Sequence, residues 1–170
     1  MKRIAFLGLL TAVIGLTQAA SAAGAPIRVV GFQRIGTFSV HGGTVATARK
    51  ALGRPTRTRD VRGRSCELTW PGVHISFYTL AHDTQCRPDT PFGSARITRA
   101  WVTDRGLRQG DTVVKARRLY PGAERPHFAG PHAVGLVVKL SQAVGDYGLA
   151  ASVDHGKVTA LVISDPQGGE

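Results

Sequence analysis

The side chains best able to do chemistry in this chain are six histidines, two cysteines and a run of arginines. His41, His74, His82, His127, His132 and His155 are scattered, with no H-x-x-x-H or H-E-x-x-H spacing that would set two imidazoles on one helix face. A metal centre would need side chains that meet only in the fold, so neither a metal nor a cofactor is expected. His82-Asp83 and Asp154-His155 have the composition of acid/base pairs. Neighbours in a strand point to opposite faces, however, and both pairs fall at expected turns, where turn chemistry accounts for them. No G-x-S-x-G elbow, phosphate-binding loop or glycine-rich nucleotide fingerprint occurs. The expectation is therefore a non-enzymatic protein. The alternative is a small extracytoplasmic hydrolase or metal-dependent enzyme, its site assembled from separated histidines and acids.

The arginines are more informative. Arg49, Lys50, Arg54, Arg57, Arg59, Arg62 and Arg64 fall within one short stretch in which Asp60 is the only acid. A solvated helix end and loop would look like this, because charged loops are ordinary. A binding patch would look the same, and would meet an acidic protein, anionic lipid headgroups or a cell-wall polymer. Nucleic acid is not expected, since the cluster lacks the interleaved aromatics that stack bases.

Cys66 and Cys86 are the only cysteines. Their separation is far from Cys-x-x-Cys, so a disulfide is expected, closing a loop whose constraint stabilises the fold by roughly 3 kcal/mol. That reading needs an oxidising compartment, and the N-terminus supplies one. Lys2 and Arg3 precede an apolar run over residues 4–16, and Ala20-Ser21-Ala22 offers the small side chains of a cleavage site. At ~1.5 Å per residue the run is too short for a ~30 Å hydrocarbon core. Residues 1–22 thus read as a signal peptide cleaved after Ala22, sending the mature chain to the periplasm or the medium. No later stretch is apolar enough to span a membrane.

Removing residues 1–22 from the 170 leaves 148, enough for one domain over residues 23–170. Taking Lys2 and Arg3 from the 22 basic residues leaves 20 against 11 acids, a mature charge of about +9 that favours acidic partners.

The elements that would position these residues can be read from punctuation. Residues 44–52 and 112–120 are expected helices, capped by Thr44 and by Asp111 or Thr112, and stopped by Gly53-Pro55 and Pro121-Gly122. Each has an apolar stripe, Val45-Ala48-Leu52 and Val113-Ala116-Tyr120, with Arg49-Lys50 and Arg117-Arg118 opposite. A shift of 68 residues superposes Thr44-Val45 on Thr112-Val113 and Ala48-Arg49 on Ala116-Arg117, which suggests an internal repeat or a coincidence between two short amphipathic helices. Strands are expected at 27–40, 66–70, 73–80, 95–103, 134–140, 147–153 and 158–163, with 23–26 and 164–170 as frayed ends. If Trp70 opposes Val73, then Cys66, Leu68, Trp70, Val73, Ile75 and Phe77 share one face. Pro71 cannot take the positive φ of a primed hairpin turn, so a longer loop is an alternative there. The order favours an α+β fold, an antiparallel sheet with two short helices on one face.

From Trp101 to Pro121 the run W-V-T-D-R-G-L-R-Q-G-D-T-V-V-K-A-R-R-L-Y-P resembles a segment found in many exported bacterial proteins. In these a strand leads through a G-[LIV]-R-x-G-[DS]-[ST] turn into a short helix ending in Y-P. The tandem helix-plus-hairpin order is similar to that of the beta-lactamase-inhibitor proteins and the small outer-membrane assembly lipoprotein. The resemblance covers residues 36–163 as architecture, and its specific motif is Gly106-Leu107-Arg108, Gly110-Asp111-Thr112 and Tyr120-Pro121. It implies a binding fold with a concave sheet and no catalytic machinery. This chain departs from it in lacking a lipid-attachment cysteine and in having one cysteine pair for two repeats, and no inhibitor contact residue carries over.

Overall fold

The computed structural model describes residues 25–61, 64–78, 86–122, 126–141 and 145–165. The export signal, Arg62, His82-Asp83 and the end of the strand expected at 73–80 lie outside the described residues.

The fold is α+β. The stretch expected as one strand over 27–40 is instead three short ones, β1 (Ile27–Val30), β2 (Arg34–Ile35) and β3 (Phe38–Ser39). Gly31 and Gly36 adopt φ of +50° and +59°, conformations that turn the chain back on itself and that side-chain-bearing residues rarely take. Antiparallel pairs Val29↔Ile35 and Ile35↔Phe38 result.

β4 (Arg57–Val61), β5 (Ser65–Trp70) and β6 (Val73–Phe77) follow the first helix. The arginine-rich stretch read as loop therefore contains a strand, for which β5 supplies the backbone partner. Trp70 does oppose Val73, leaving a two-residue turn. Pro71 and Gly72, the latter at φ +71°, stand in the order of a type II turn, which accepts proline where the primed turns refuse it.

The strand expected at 95–103 is also divided, into β7 (Phe92–Ile97) and β8 (Trp101–Thr103), which enter different sheets. Thr98 N–H turns away to the Gly72 carbonyl at 2.8 Å and ends β7. β9 (Ala133–Ser141), β10 (Gly145–Asp154) and β11 (Lys157–Ser164) complete the strands. One sheet runs β4-β5-β6-β7-β11-β10-β9, antiparallel throughout; a second, β3-β2-β1-β8, contains a parallel pair, β1 with β8. A single buried cluster draws on both sheets. Phe38, Phe77 and Phe92 join them, with ring centroids 5.9–6.5 Å apart.

Helix α1 (Val45–Leu52) packs on β3 and buries Val45 and Ala48; helix α2 (Val113–Leu119) packs on β9 and buries Ala116. Val113, at the head of the apolar stripe, is only half-buried, and Val114 is 78% exposed. Arg49 and Arg117 face solvent.

The two helix starts are held alike. Thr44 and Thr112 are the N-caps, each accepting from the amide three residues on. Val45 N–H donates to Thr90 O and Phe92 N–H to Gly43 O; correspondingly, Val113 N–H donates to Gly156 O and Val158 N–H to Asp111 O. Each cap is thus bridged to the start of a strand, β7 or β11, and those two strands are paired neighbours.

Cys66 and Cys86 form the disulfide, with Cα atoms 4.7 Å apart. It ties β5 to the segment leading into β7. Cys86 N–H also donates to Asp60 Oδ2 at 3.3 Å, and Asp60 lies opposite Cys66 in the β4–β5 ladder. No helix among the described residues is long and apolar enough to cross a membrane.

Candidate functional site: an arginine-lined groove

At the C-terminal end of α1 the chain leaves through Gly53, whose φ of +80° turns it sharply toward β4. The last carbonyls of the helix find partners elsewhere: Thr37 Oγ1 donates to Ala51 O at 3.0 Å, and Trp70 Nε1 donates to Gly53 O at 3.0 Å. Thr56 donates twice to Thr69 O, from its amide at 2.7 Å and its hydroxyl at 2.9 Å. These bonds fix the connection between helix and strand.

A groove of about 630 Å³ lies along this connection, lined by Arg49, Gly53, Arg54, Pro55, Thr56, Arg57 and Thr58. Three arginines line it and no acid does. Arg49 and Lys50 also sit in the last turn of α1, where positive charge complements the helix dipole. That explains a cation at the helix end but not Arg54 and Arg57 beyond it.

The other members of the basic cluster are dispersed. Arg59 lies on the same face of β4 as Arg57 but stands 3.8 Å from Glu67 across the ladder, which partly neutralises it. Arg64 is in the turn after β4, Lys50 is exposed outside the groove lining, and Arg62 is outside the described residues. Arg57, at the end of the groove, shares the second face of the seven-stranded sheet with Thr69 and Glu67. There Glu67, Thr69, His74, Ser76, Ser94 and Arg96 are half-buried or exposed. Thr69 Oγ1 lies 3.2 Å from His74 Nδ1, and Arg96 Nη1 donates to Ser152 Oγ at 3.2 Å.

Two of the histidines share a cleft, while His41, His74 and His127 stand apart from them. His132 and His155 line a cleft of about 470 Å³ with Asp154 and Arg117. His155 Nδ1 is 2.8 Å from Asp154 Oδ1, but the side chains are 93% and 70% exposed, so water competes for the pair. His155 and Gly156, at φ +46° and +76°, are the two central residues of a type I′ turn between the paired Asp154 and Lys157. Elsewhere His41 Nδ1 stands 3.7 Å from Oδ2 of Asp165. Asp165 is 4% exposed, lines two adjoining cavities of about 450 and 370 Å³, and donates its amide to Gly93 O. The expected frayed end at 164–170 is thus corrected at its start: Ser164 ends β11 and Asp165 is packed inside. No sequence signal pointed to Asp165, because Gly93 and His41, which it meets, lie far from it along the chain. Among the described residues no three histidines, cysteines or acids are grouped to hold a metal.

The residues of the Gly106–Thr112 motif make structural bonds. Arg108 N–H donates to Asp111 Oδ2 at 2.8 Å, and Lys115 Nζ meets the same oxygen at 2.8 Å. Burial raises the Asp111 pKa, but the bonds from Lys115 and Arg108 and their positive charges outweigh it and hold the carboxyl below its ordinary value. The Tyr120 hydroxyl donates to Asp104 Oδ1 at 3.3 Å under the Arg105 guanidinium, 4.9 Å from the ring centre. Burial is the main cause that raises the Tyr120 pKa.

No protein-family profile, curated protein sequence or solved structure matches this chain.

Proposed function

We propose that this is an exported, non-enzymatic binding protein that holds an anionic macromolecular partner against the arginine-lined groove and the polar sheet face beside it. The observation that carries the reading is the convergence of Arg49, Arg54 and Arg57 on one groove with no acid in its lining. Three like charges held this close repel one another unless an anion answers them, and they focus the local potential. The disulfide supports an oxidising compartment and so an exported chain, with residues 1–22 as the signal. The matched caps of Thr44 and Thr112 support two tandem helix-plus-strand units within one domain, the arrangement of the inhibitor-like proteins the sequence resembles.

The test uses poly-L-glutamate as an acidic polypeptide and vesicles of anionic lipid as an anionic surface. Association with the purified protein should slow as salt shortens the screening length from ~10 Å at 0.1 M to ~3 Å at 1 M. The Arg49→Gln/Arg54→Gln/Arg57→Gln variant should associate more slowly at low salt and keep its fold. Equal rates for the variant and the parent toward both probes would end the reading.

A further inference from the structure

We infer that the outer edge of β4 is a docking site for an extended acidic segment of a partner protein, which adds as a further strand and sets carboxylates against Arg57 and Arg59. The inference rests on the binding reading above and names the partner's form.

β4 ends the strand order, so among the described strands only β5 pairs with it. An unpaired strand edge offers its backbone donors and acceptors to any extended chain, and proteins blunt such edges with charge. Here four of the five residues, Arg57 through Asp60, are exposed. Charge on an edge refuses strands of like sign or of apolar composition. It does not refuse one of opposite sign, for which the same side chains become cross-strand partners.

The arrangement of those charges is one-sided. Arg57 and Arg59 share a face with Thr69 and Glu67, whereas Thr58 and Asp60 share the other with Leu68 and Cys66. An incoming strand with acids at every second residue spaces its carboxylates by roughly 6.6 Å, the spacing of Arg57 and Arg59 along β4. Arg57 is the stronger contact, because its cross-strand neighbour is Thr69, while Arg59 already faces Glu67. The groove lined by Arg49 and Arg54 reaches the start of β4 at Arg57 and Thr58, so the same segment can continue along it. The edge is rigid before the partner arrives. Thr56 anchors one end to Thr69, and Asp60 anchors the other to the disulfide-bonded Cys86. Ordering costs on binding are correspondingly low.

A second copy of this chain is a poor occupant. Antiparallel pairing of two β4 strands along their full length sets Arg59 against Arg59, and a shift by two residues sets Arg57 against Arg59. Like charges directly opposite destabilise a strand pair.

The experiment compares two labelled peptides of alternating Glu with Val or Thr, one unmodified and one N-methylated at alternate amides, so that charge is kept while backbone donors are lost. Binding to the purified protein is read by fluorescence anisotropy, and amide hydrogen exchange is followed across the chain. The unmodified peptide should bind and slow exchange over residues 57–61. N-methylation, or Arg57→Gln in the protein, should weaken it about tenfold or more, and Arg59→Gln should weaken it less. Equal binding of both peptides without protection in β4 overturns strand docking and leaves the anion-binding reading standing. Binding of anionic vesicles with no binding of either peptide overturns it in favour of a membrane surface. Failure of both peptides and of poly-L-glutamate removes the acidic-protein reading altogether.

Discussion

Thr44 and Thr112 hold equivalent positions in two different helices. Each caps its helix through the amide three residues on, and each is bridged to the residue just before a buried core position, Pro91 before Phe92 and Lys157 before Val158. Thr44 has in addition a reciprocal bond, its own amide donating to Thr47 Oγ1 at 2.7 Å.

Replacing either cap by alanine leaves an amide of the first turn unpaired, a loss of about 1 kcal/mol. Thr44→Ala and Thr112→Ala should lower the urea midpoint by comparable amounts, with the slope unchanged. A neutral result at either position would mean that the strand bridge alone holds that helix start.

The disulfide should survive purification and be worth roughly 3 kcal/mol by its constraint on the unfolded chain. Mass measurement after alkylation without reductant should find no free thiol. The Cys66→Ala/Cys86→Ala variant should unfold at lower temperature. Since the bond sits beside β4, that variant should also show faster amide exchange at Asp60 and Val61 than at the distant β10–β11 ladder.

Asp111 makes stability depend on acid pH. Its folded pKa lies below the ordinary 3.8, so the folded state binds this proton less readily than the unfolded one. Its contribution is complete above pH 3.8 and fades as pH falls through the lower folded value. Asp111→Asn should therefore be less stable than the parent at neutral pH, with the gap closing in strong acid. A gap that stays constant across the acid range would show that Lys115 and Arg108 do not favour the charged form.

Tyr120 acts at the other end of the scale. Its folded pKa is raised above 10.0, so its contribution is present below pH 10.0 and is lost as pH rises through the folded value. Tyr120→Phe should flatten the alkaline limb of the stability profile, and an unchanged limb would assign that loss to other groups.

The legible part of this protein was local. The two helices, their caps, the Trp70–Val73 register and the shared face of Cys66, Leu68, Trp70, Val73, Ile75 and Phe77 follow from periodicity and capping chemistry acting over a few residues. The disulfide followed from there being only two cysteines in a chain read as exported. The places where the reading was too simple are places where glycine or a change of sheet intervened. Gly31 and Gly36 cut 27–40 into three strands, and the turn after Ile97 sent β7 and β8 to different sheets.

The candidate site lay between these regimes. The density of positive charge from Arg49 to Arg64 was visible in the sequence, but which arginines act together was not. Arg49, Arg54 and Arg57 converge because Gly53 turns α1 into β4; Arg59 is drawn aside because the ladder sets Glu67 across from it. Asp165 and His41 meet only because β11 ends beside the turn after β3. Composition and short spacing determine helices, turns and the sign of the surface charge, since those depend on neighbours a few bonds away. Which edge stays open, which charge is answered and which carboxylate is buried are decided by strand order, because pairing brings together residues whose separation along the chain carries no local signal.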